Sequence, residues 1–351
     1  MIAMEDITRL LLAWYDVHKR NLPWRATRNP YYIWISEVIL QQTRVAQGMD
    51  YYLRFIDRFP TVEALAGAPE DDVMRLWQGL GYYSRARNLH AAARQVVAMG
   101  GFPTSNDVIR SLKGVGDYTA AAIASFAFDE PVPAVDGNVC RVWSRVMGID
   151  APIDTARGRQ MIVGVAQALL PTKQAAKYNQ AVMEFGALQC VPKNPDCMVC
   201  PLAHKCVALA EGRVGELPVK QGKTKVIPRY FHYLYIHNEY ELLLHKRMAD
   251  DIWQNLYELP LIETSASLDV DALFLTPEFA RWHSLMPRYI YKGSVDGVKH
   301  VLSHRVLHAS FYELEVQGIL PCHDDYVAVP FDKLDCYALP RLVERYMTAK
   351  L

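Results

Sequence analysis

Apolar positions along the first part of this chain recur at helical spacing, and beyond residue 229 they change to short, strand-like runs. Residues 4–20 put Ile7, Leu10, Leu11, Trp14 and Val17 on one stripe, which predicts an amphipathic helix. Leu22-Pro23-Trp24-Arg25 ends it, and Asn29-Pro30-Tyr31 opens a second helix. In that second helix Glu37, Gln41 and Arg44 fall at i, i+4 and i+7, so one polar face is expected on an otherwise apolar element. Further amphipathic helices are expected at 62–66 and 71–76. From Ser111 to Asn138 the order reads helix, tight turn, helix, proline-rich loop, then an acidic residue opening another helix. Between Glu211 and Arg229 the pattern loosens, with Gly212, Gly215, Pro218, Gly222 and Pro228 among Lys220, Lys223, Lys225 and Arg229, as a basic linker would. Tyr230–His237, Glu241–Arg247, Val298–Ser303 and Arg305–Val316 are rich in β-branched and aromatic residues and predict strands, with a closing helix over Leu339–Thr348. The expected fold class is a mainly α N-terminal half followed by a small α+β domain.

At 351 residues, 51% of them hydrophobic, the chain has room for two or three domains with packed cores. No apolar run approaches the ~18 residues a membrane span needs. Met1–Trp14 carries no basic flank or small-residue cleavage site. A soluble, cytoplasmic protein without membrane contact is expected. The formal net charge is zero, so any nucleic-acid binding must come from local patches and backbone amides. Seven cysteines are an odd number, unsuited to a disulfide framework. Four crowd between Cys190 and Cys206; Cys140, Cys322 and Cys336 are scattered and read as ordinary thiols.

Three stretches carry candidate chemistry. The turn Lys113-Gly114-Val115-Gly116 precedes a helix whose free N–H groups point back into it, a geometry that suits an anion such as phosphate and equally an ordinary helix connection. Past the prolines Pro131 and Pro133, Asp136 sits where the next helix begins, a position that suits a plain helix cap as well as a functional carboxylate. The run around Glu37 suits a plain solvated helix face; a glutamate buried among Trp34, Ile35 and Val38 would instead have its charged form disfavoured, which keeps it ready to donate a proton near neutrality. In Gly79-Leu80-Gly81-Tyr82-Tyr83-Ser84-Arg85 an aromatic pair is flanked by glycine and arginine, which suits a wedge in distorted DNA and equally suits core packing.

The cysteines Cys190, Cys197, Cys200 and Cys206 are spaced C-x6-C-x2-C-x5-C. Zinc accepts four sulfurs, but its usual layout is two C-x-x-C pairs on separate knuckles. One compact loop, with Pro201 after Cys200, suits a cuboidal iron–sulfur cluster better.

Leu-x-Gly-Val-Gly-x-Tyr-Thr-Ala from Leu112, followed by Val135-Asp136-Gly137-Asn138-Val139, resembles the helix-hairpin-helix DNA glycosylases. Ser36-Glu37-Val38-Ile39-Leu40-Gln41-Gln42-Thr43 resembles the N-terminal catalytic motif of their adenine glycosylase branch. The cysteine spacing is similar to the [4Fe–4S] loop of the endonuclease III superfamily. Trp253-x-x-Leu-x-Glu258-Leu-Pro260 resembles the Nudix-like C-terminal domain of the same branch. A working Nudix hydrolase needs a carboxylate-rich helix for Mg²⁺, whereas 262–268 offers Glu263 and no such array.

The resemblance covers essentially the whole chain. It implies a helical catalytic domain over 1–213, with a six-helix-barrel-type part near 30–135 and an iron–sulfur part formed by 1–29 with 136–213. A linker over 214–228 and a Nudix-like lesion-recognition domain over 229–351 complete it. The implied activity is hydrolytic removal of adenine paired with 8-oxoguanine or guanine in double-stranded DNA during base excision repair, by a monomer that flips the base out. It would be nucleoid-associated if bacterial. Glu37 would protonate the adenine at N7, Asp136 would face the charge developing on the sugar, and Asn138 would hold its carboxylate. Trp24, Arg25, Gln41, Gln42, Thr43 and Glu184 match positions around the adenine. Gly114, Val115 and Gly116 match the DNA-backbone contact, and Tyr82 the wedge. Ser303 and His304 match the residues that contact 8-oxoguanine, with Leu302 where the family has phenylalanine. Tyr118 stands where the bifunctional, endonuclease III-like glycosylase–lyases carry a Schiff-base lysine. That branch is the alternative reading; a Nudix pyrophosphohydrolase and a non-enzymatic iron–sulfur DNA-binding module are the remaining two.

Overall fold

A computed structural model describes residues 4–222, 226–321 and 325–350. Cys322, Lys223 and Lys225 lie outside the described residues. Two compact units divide the chain: residues 1–67 with 88–222, and residues 68–87 with 223–351.

The helices are α1 (Met4–His18), α2 (Pro30–Leu40), α3 (Val45–Arg58), α4 (Val62–Ala66), α5 (Glu70–Trp77), α6 (Ser84–Ala98), α7 (Asn106–Arg110), α8 (Asp117–Phe128), α9 (Gly137–Met147), α10 (Ala156–Leu169), α11 (Ala175–Leu188) and α12 (Val207–Ala210). In the first unit Asn29 caps α2 by accepting from the Tyr31 amide, with Pro30 at the first helical position. That helix is buried on nearly every side, from Tyr31 through Ile39. α8 is buried from Thr119 to Ala127, and its five alanines let α2 and α11 lie close against it. A second core joins α1, α9, α10 and α11 through Ile7, Leu11, Trp14, Val142, Trp143, Ile162, Tyr178 and Phe185.

Val17, expected on the apolar stripe of α1, is 78% exposed; Tyr15 is buried beside Trp14 instead. The predicted polar face of α2 also fails. The helix stops at Leu40, Gln41 turns to extended backbone, and Gln42 takes a positive φ of 57°. Arg44 therefore caps α3 rather than continuing the face of Glu37.

The second unit is built on a seven-stranded sheet of β1 (Ile227–His237), β2 (Glu241–Lys246), β3 (Tyr257–Glu258), β4 (Leu261–Thr264), β5 (Tyr289–Val301), β6 (Arg305–Val316) and β7 (Tyr326–Pro330). The order β3-β2-β1-β6-β5 has β1 and β6 parallel, with β4 added to β1 and β7 to β2. Alternation along β1 and β6 loads both faces. Leu234, Ile236, Tyr312 and Leu314 meet α13 (Val270–Phe274) and α14 (Pro277–Leu285) through Leu273, Phe279 and Trp282. On the other face Tyr346 of α15 (Arg341–Lys350) stacks on Phe311 at 4.1 Å and edges onto Tyr235. This is the expected combination of a helical half and an α+β half.

Candidate active site

Glu37 is the one carboxylate on the buried α2, at 7% exposure. The Tyr118 hydroxyl, in the first turn of α8, donates to its Oε2 at 2.5 Å. Burial pushes the Glu37 pKa up to about 7; the Tyr118 hydrogen bond pulls it back and the neighbouring Asp136 charge pushes it further up. Burial, with both carboxylates nearby, holds the Tyr118 phenol well above its ordinary value, so it remains a donor.

Asp136 caps α9, accepting the Val139 amide at 2.8 Å on Oδ1 and the Asn138 Nδ2 at 2.7 Å on Oδ2. The cap and the candidate catalytic group are the same side chain. Burial raises its pKa, and the donated hydrogen bonds oppose that rise. Two carboxylates of one cavity thus sit in contrasting surroundings, one in an apolar helix and one ringed by donors.

Asn138 is itself held. Arg141 Nη2 donates to Asn138 Oδ1 at 2.8 Å and to the Gly186 carbonyl at 2.6 Å, while its Nε donates to the Cys190 carbonyl at 2.8 Å. A Cβ on Gly186 would stand 2.7 Å from Asn138 Cβ, so glycine is what lets α11 approach this close.

Across the cavity, Glu184 is 1% exposed and clamped by two arginines. Arg25 reaches it with Nη1 at 2.8 Å and Nη2 at 2.7 Å, and Arg20 with Nε at 2.8 Å and Nη2 at 2.6 Å. Burial works against the charge, but these hydrogen bonds hold the Glu184 pKa down to about 2. Arg20 and Arg141 were not singled out in the sequence. The signal for both was available: a buried carboxylate and a helix-capping pair each need a cation or donor nearby.

These groups line one cavity of about 1310 Å³ in the first unit, together with Trp24, Gln41, Gln42, Thr43, Asn138 and Met183. Gln41 Nε2 donates to Thr119 Oγ1 at 3.1 Å. Trp24 is buried edge-on to Tyr52, with its ring centroid 5.0 Å away. In the hairpin between α7 and α8, Gly114 has φ +74°, and a Cβ there would fall 2.5 Å from Asn88 Cβ. Gly116 has no atom within 4 Å of an added Cβ, whereas Val115 is buried and its amide closes the turn on Leu112.

Cys190, Cys197, Cys200 and Cys206 line a small, partly open cavity with Phe185, Leu202 and Leu209. Arg145 Nη1 donates to Cys190 Sγ at 3.4 Å and to the Val191 carbonyl at 2.8 Å. Burial pushes the Cys200 thiol up to about 11, with the other three sulfurs adding to it. Among the described residues no three His, Cys, Asp or Glu side chains are gathered tightly enough for a single metal ion. Four cysteines lining one mostly apolar cavity, with a guanidinium on the sulfur of Cys190, fit a cluster that takes one thiolate at each corner.

Tyr82, Ser303 and His304 belong to the second unit. Leu302, Ser303 and His304 form the turn between β5 and β6, with the Leu302 amide donating to the Arg305 carbonyl at 2.8 Å. Ser303 Oγ and the Tyr82 hydroxyl are 2.7 Å apart. Glu258, the acid of the Trp-x-x-Leu-x-Glu-Leu-Pro run, is buried and bonded by Arg247 at 2.6 Å and Tyr233 at 2.9 Å.

Comparison with known sequences fits this arrangement. Residues 35–162 match the HhH-GPD superfamily of base excision DNA repair proteins, and residues 232–349 match the NUDIX domain. The chain is 36% identical to the adenine DNA glycosylase of Buchnera aphidicola subsp. Baizongia pistaciae (strain Bp) over 352 residues, covering 96% of this chain and 95% of that protein. The chain belongs to the adenine DNA glycosylase family. The family's counterpart in Buchnera aphidicola subsp. Schizaphis graminum (strain Sg) is 34% identical, over 73% of this chain and 75% of that one. Among solved structures, a thermostable thymine-DNA glycosylase superposes with a TM-score of 0.55 at 27% identity, covering 59% of this chain and 97% of that one. Membership of the adenine DNA glycosylases makes this chain a DNA N-glycosylase, and the helical and Nudix-like halves expected from the sequence are both present.

Proposed function

We propose that this enzyme hydrolyses the N-glycosidic bond of adenine paired with 8-oxoguanine or guanine in double-stranded DNA, without cutting the strand. The observation that carries the reading is the pair Glu37 and Asp136 in one cavity. One is pushed up to a pKa of about 7 by burial, and the other is fixed by an amide and an amide side chain. An adenine leaves its sugar as a good leaving group only when its ring takes a proton, and the sugar then carries positive charge. Glu37, protonated near neutrality, supplies that proton, and the Tyr118 hydroxyl orients its carboxyl group. Asp136, ionised, faces the sugar cation, and Asn138 and the Val139 amide hold its oxygens. The clamped carboxylate of Glu184, with Arg20 and Arg25, offers a fixed acceptor and donors to the ring edge of a flipped purine.

DNA backbone contact fits the hairpin, where Gly116 leaves open space for a phosphate. A tyrosine at position 118 cannot form a Schiff base, which favours simple hydrolysis over the lyase reading. Cys190, Cys197, Cys200 and Cys206 are the residues that would hold a [4Fe–4S] cluster. Bound there, it supplies four iron–thiolate bonds that cross-link the loop and a redox-active centre.

The test is incubation with duplexes carrying adenine opposite 8-oxoguanine, guanine or thymine. Free adenine, with strand breaks only after alkali, is the expected result for the first two. Breaks without alkali, trapped by borohydride, would favour the lyase reading. No adenine release from either mispair would remove the reading altogether.

A further inference from the structure

The loop 130–136 carries the chain from α8 to Asp136, and Pro131 and Pro133 fix two of its φ angles while supplying no N–H. It is tied to α11 at three heights. At its start Asp129, in the left-handed conformation with φ 55°, ends α8 and accepts the Ala176 amide at 2.9 Å and the Gln174 amide at 3.2 Å. Beyond its end Asn138 meets Gly186, where an added Cβ would stand at 2.7 Å. Between these ties stands Asn179. Ala176, Asn179 and Gly186 fall at i, i+3 and i+10, so they share one face of α11.

Asn179 is buried, and its whole amide is used. Its Nδ2 donates to the Val132 carbonyl at 2.9 Å and to Ser125 Oγ of α8 at 2.8 Å, while its Oδ1 accepts the Ala134 amide at 3.1 Å. In extended chain the carbonyl of one residue and the amide two residues on face the same side. One side-chain amide thus serves this loop as a neighbouring strand would, ending two residues before Asp136. A leucine would fill the same space without the cost of burying an amide, so packing alone does not account for an asparagine here.

We propose that Asn179 is a positioning residue for Asp136, setting where the helix cap lies along α11 and so the distance from its carboxylate to the sugar. This rests on the role proposed above for Asp136. Asn138 and the Val139 amide orient the Asp136 oxygens, but both belong to the helix end that Asp136 caps and travel with it. Asn179 acts from another helix, on the other side of Asp136 in the chain. Attraction between a carboxylate and a cation a few ångström apart falls with distance, and a buried site screens it little. A slipped loop therefore weakens the hold on positive charge while leaving the neutral ground state alone.

The experiment measures binding of the full-length protein to two duplexes that replace the adenine nucleotide with a baseless ring. One ring is a protonated pyrrolidine, the other a neutral tetrahydrofuran. Wild type should prefer the cation, and Asp136→Asn should remove the preference. Asn179→Ala should lower the preference roughly three- to tenfold and slow single-turnover adenine release by a comparable factor, with binding to the neutral duplex close to wild type. Ser125→Ala leaves both loop bonds in place, so it should lower the melting temperature without moving the preference. Asn179→Ser is read in the same way if Asn179→Ala yields no folded protein. An Asn179 variant that keeps the full preference, or loses affinity equally for both duplexes, would overturn the positioning role. So would a Ser125→Ala preference as low as that of Asn179→Ala, which would place the effect in the packing of α8. A wild type that does not prefer the cation removes the Asp136 reading itself, and this role with it.

Discussion

The phenol of Tyr118 and the carboxylate of Glu37 share a 2.5 Å hydrogen bond in which the phenol is the donor. A lysine at position 118 would offer Glu37 a positive charge, favouring ionisation. The neutral phenol instead leaves burial to dominate, and the Glu37 pKa rises to about 7.

The pH dependence of single-turnover adenine release follows from this. Glu37 must be protonated to act, so the rate should fall as pH rises through about 7. Asp136 must be ionised, and burial raises its pKa, so the rate should also fall on the acid side, above the ordinary aspartate range. The profile should be bell-shaped, and Glu37→Gln should abolish its alkaline limb along with most of the activity. An alkaline limb that persists in Glu37→Gln would assign it to another group.

The same burial sets a stability effect. The folded state favours protonated Glu37, so its contribution to stability is full below about pH 4.5 and is lost as pH rises through about 7. Glu37→Gln removes a charge that the fold disfavours. The variant should gain stability over wild type between pH 5 and 8, by up to about 3 kcal/mol. Urea melts at pH 5 and pH 8 measure it; a gain equal at both pH values would contradict burial of the Glu37 charge as the cause.

Gly114→Ala should destabilise the hairpin by about 1–3 kcal/mol, because φ is +74° and the new methyl would meet Asn88 at 2.5 Å. Gly116→Ala, with ordinary φ and open space, should leave the melting temperature nearly unchanged and weaken duplex binding. Thermal melts and equilibrium binding separate the two positions.

Iron and acid-labile sulfide should be present in comparable amounts in the purified protein, with a broad visible absorption band. Cys197→Ser should reduce both and lower the melting temperature or duplex affinity. Stoichiometric zinc with no iron in anaerobically purified protein would overturn the cluster assignment.

Much of this was legible because local chemistry and sequence spacing coincide. Asp136 caps a helix three residues before the amide it accepts, and Asn138 reaches back two residues, so sequence proximity determined that arrangement. The four cysteines share one loop for the same reason. What could not be read were pairings far apart in the chain, such as Arg20 with Glu184 and Tyr82 with Ser303, which depend on tertiary packing. The polar face drawn through Glu37, Gln41 and Arg44 failed because a positive-φ turn at Gln42 breaks the helix, and glutamine gives no sequence warning of that.

The central claim is that Glu37 and Asp136 divide the work of adenine release between them. Single-turnover kinetics on an adenine:8-oxoguanine duplex, with enzyme in saturating excess, test it most directly. Glu37→Gln and Asp136→Asn should each slow release by about a hundredfold or more, while equilibrium binding to the same duplex stays within a few-fold of wild type. Release at near-wild-type rates in either variant would contradict the role assigned to that residue.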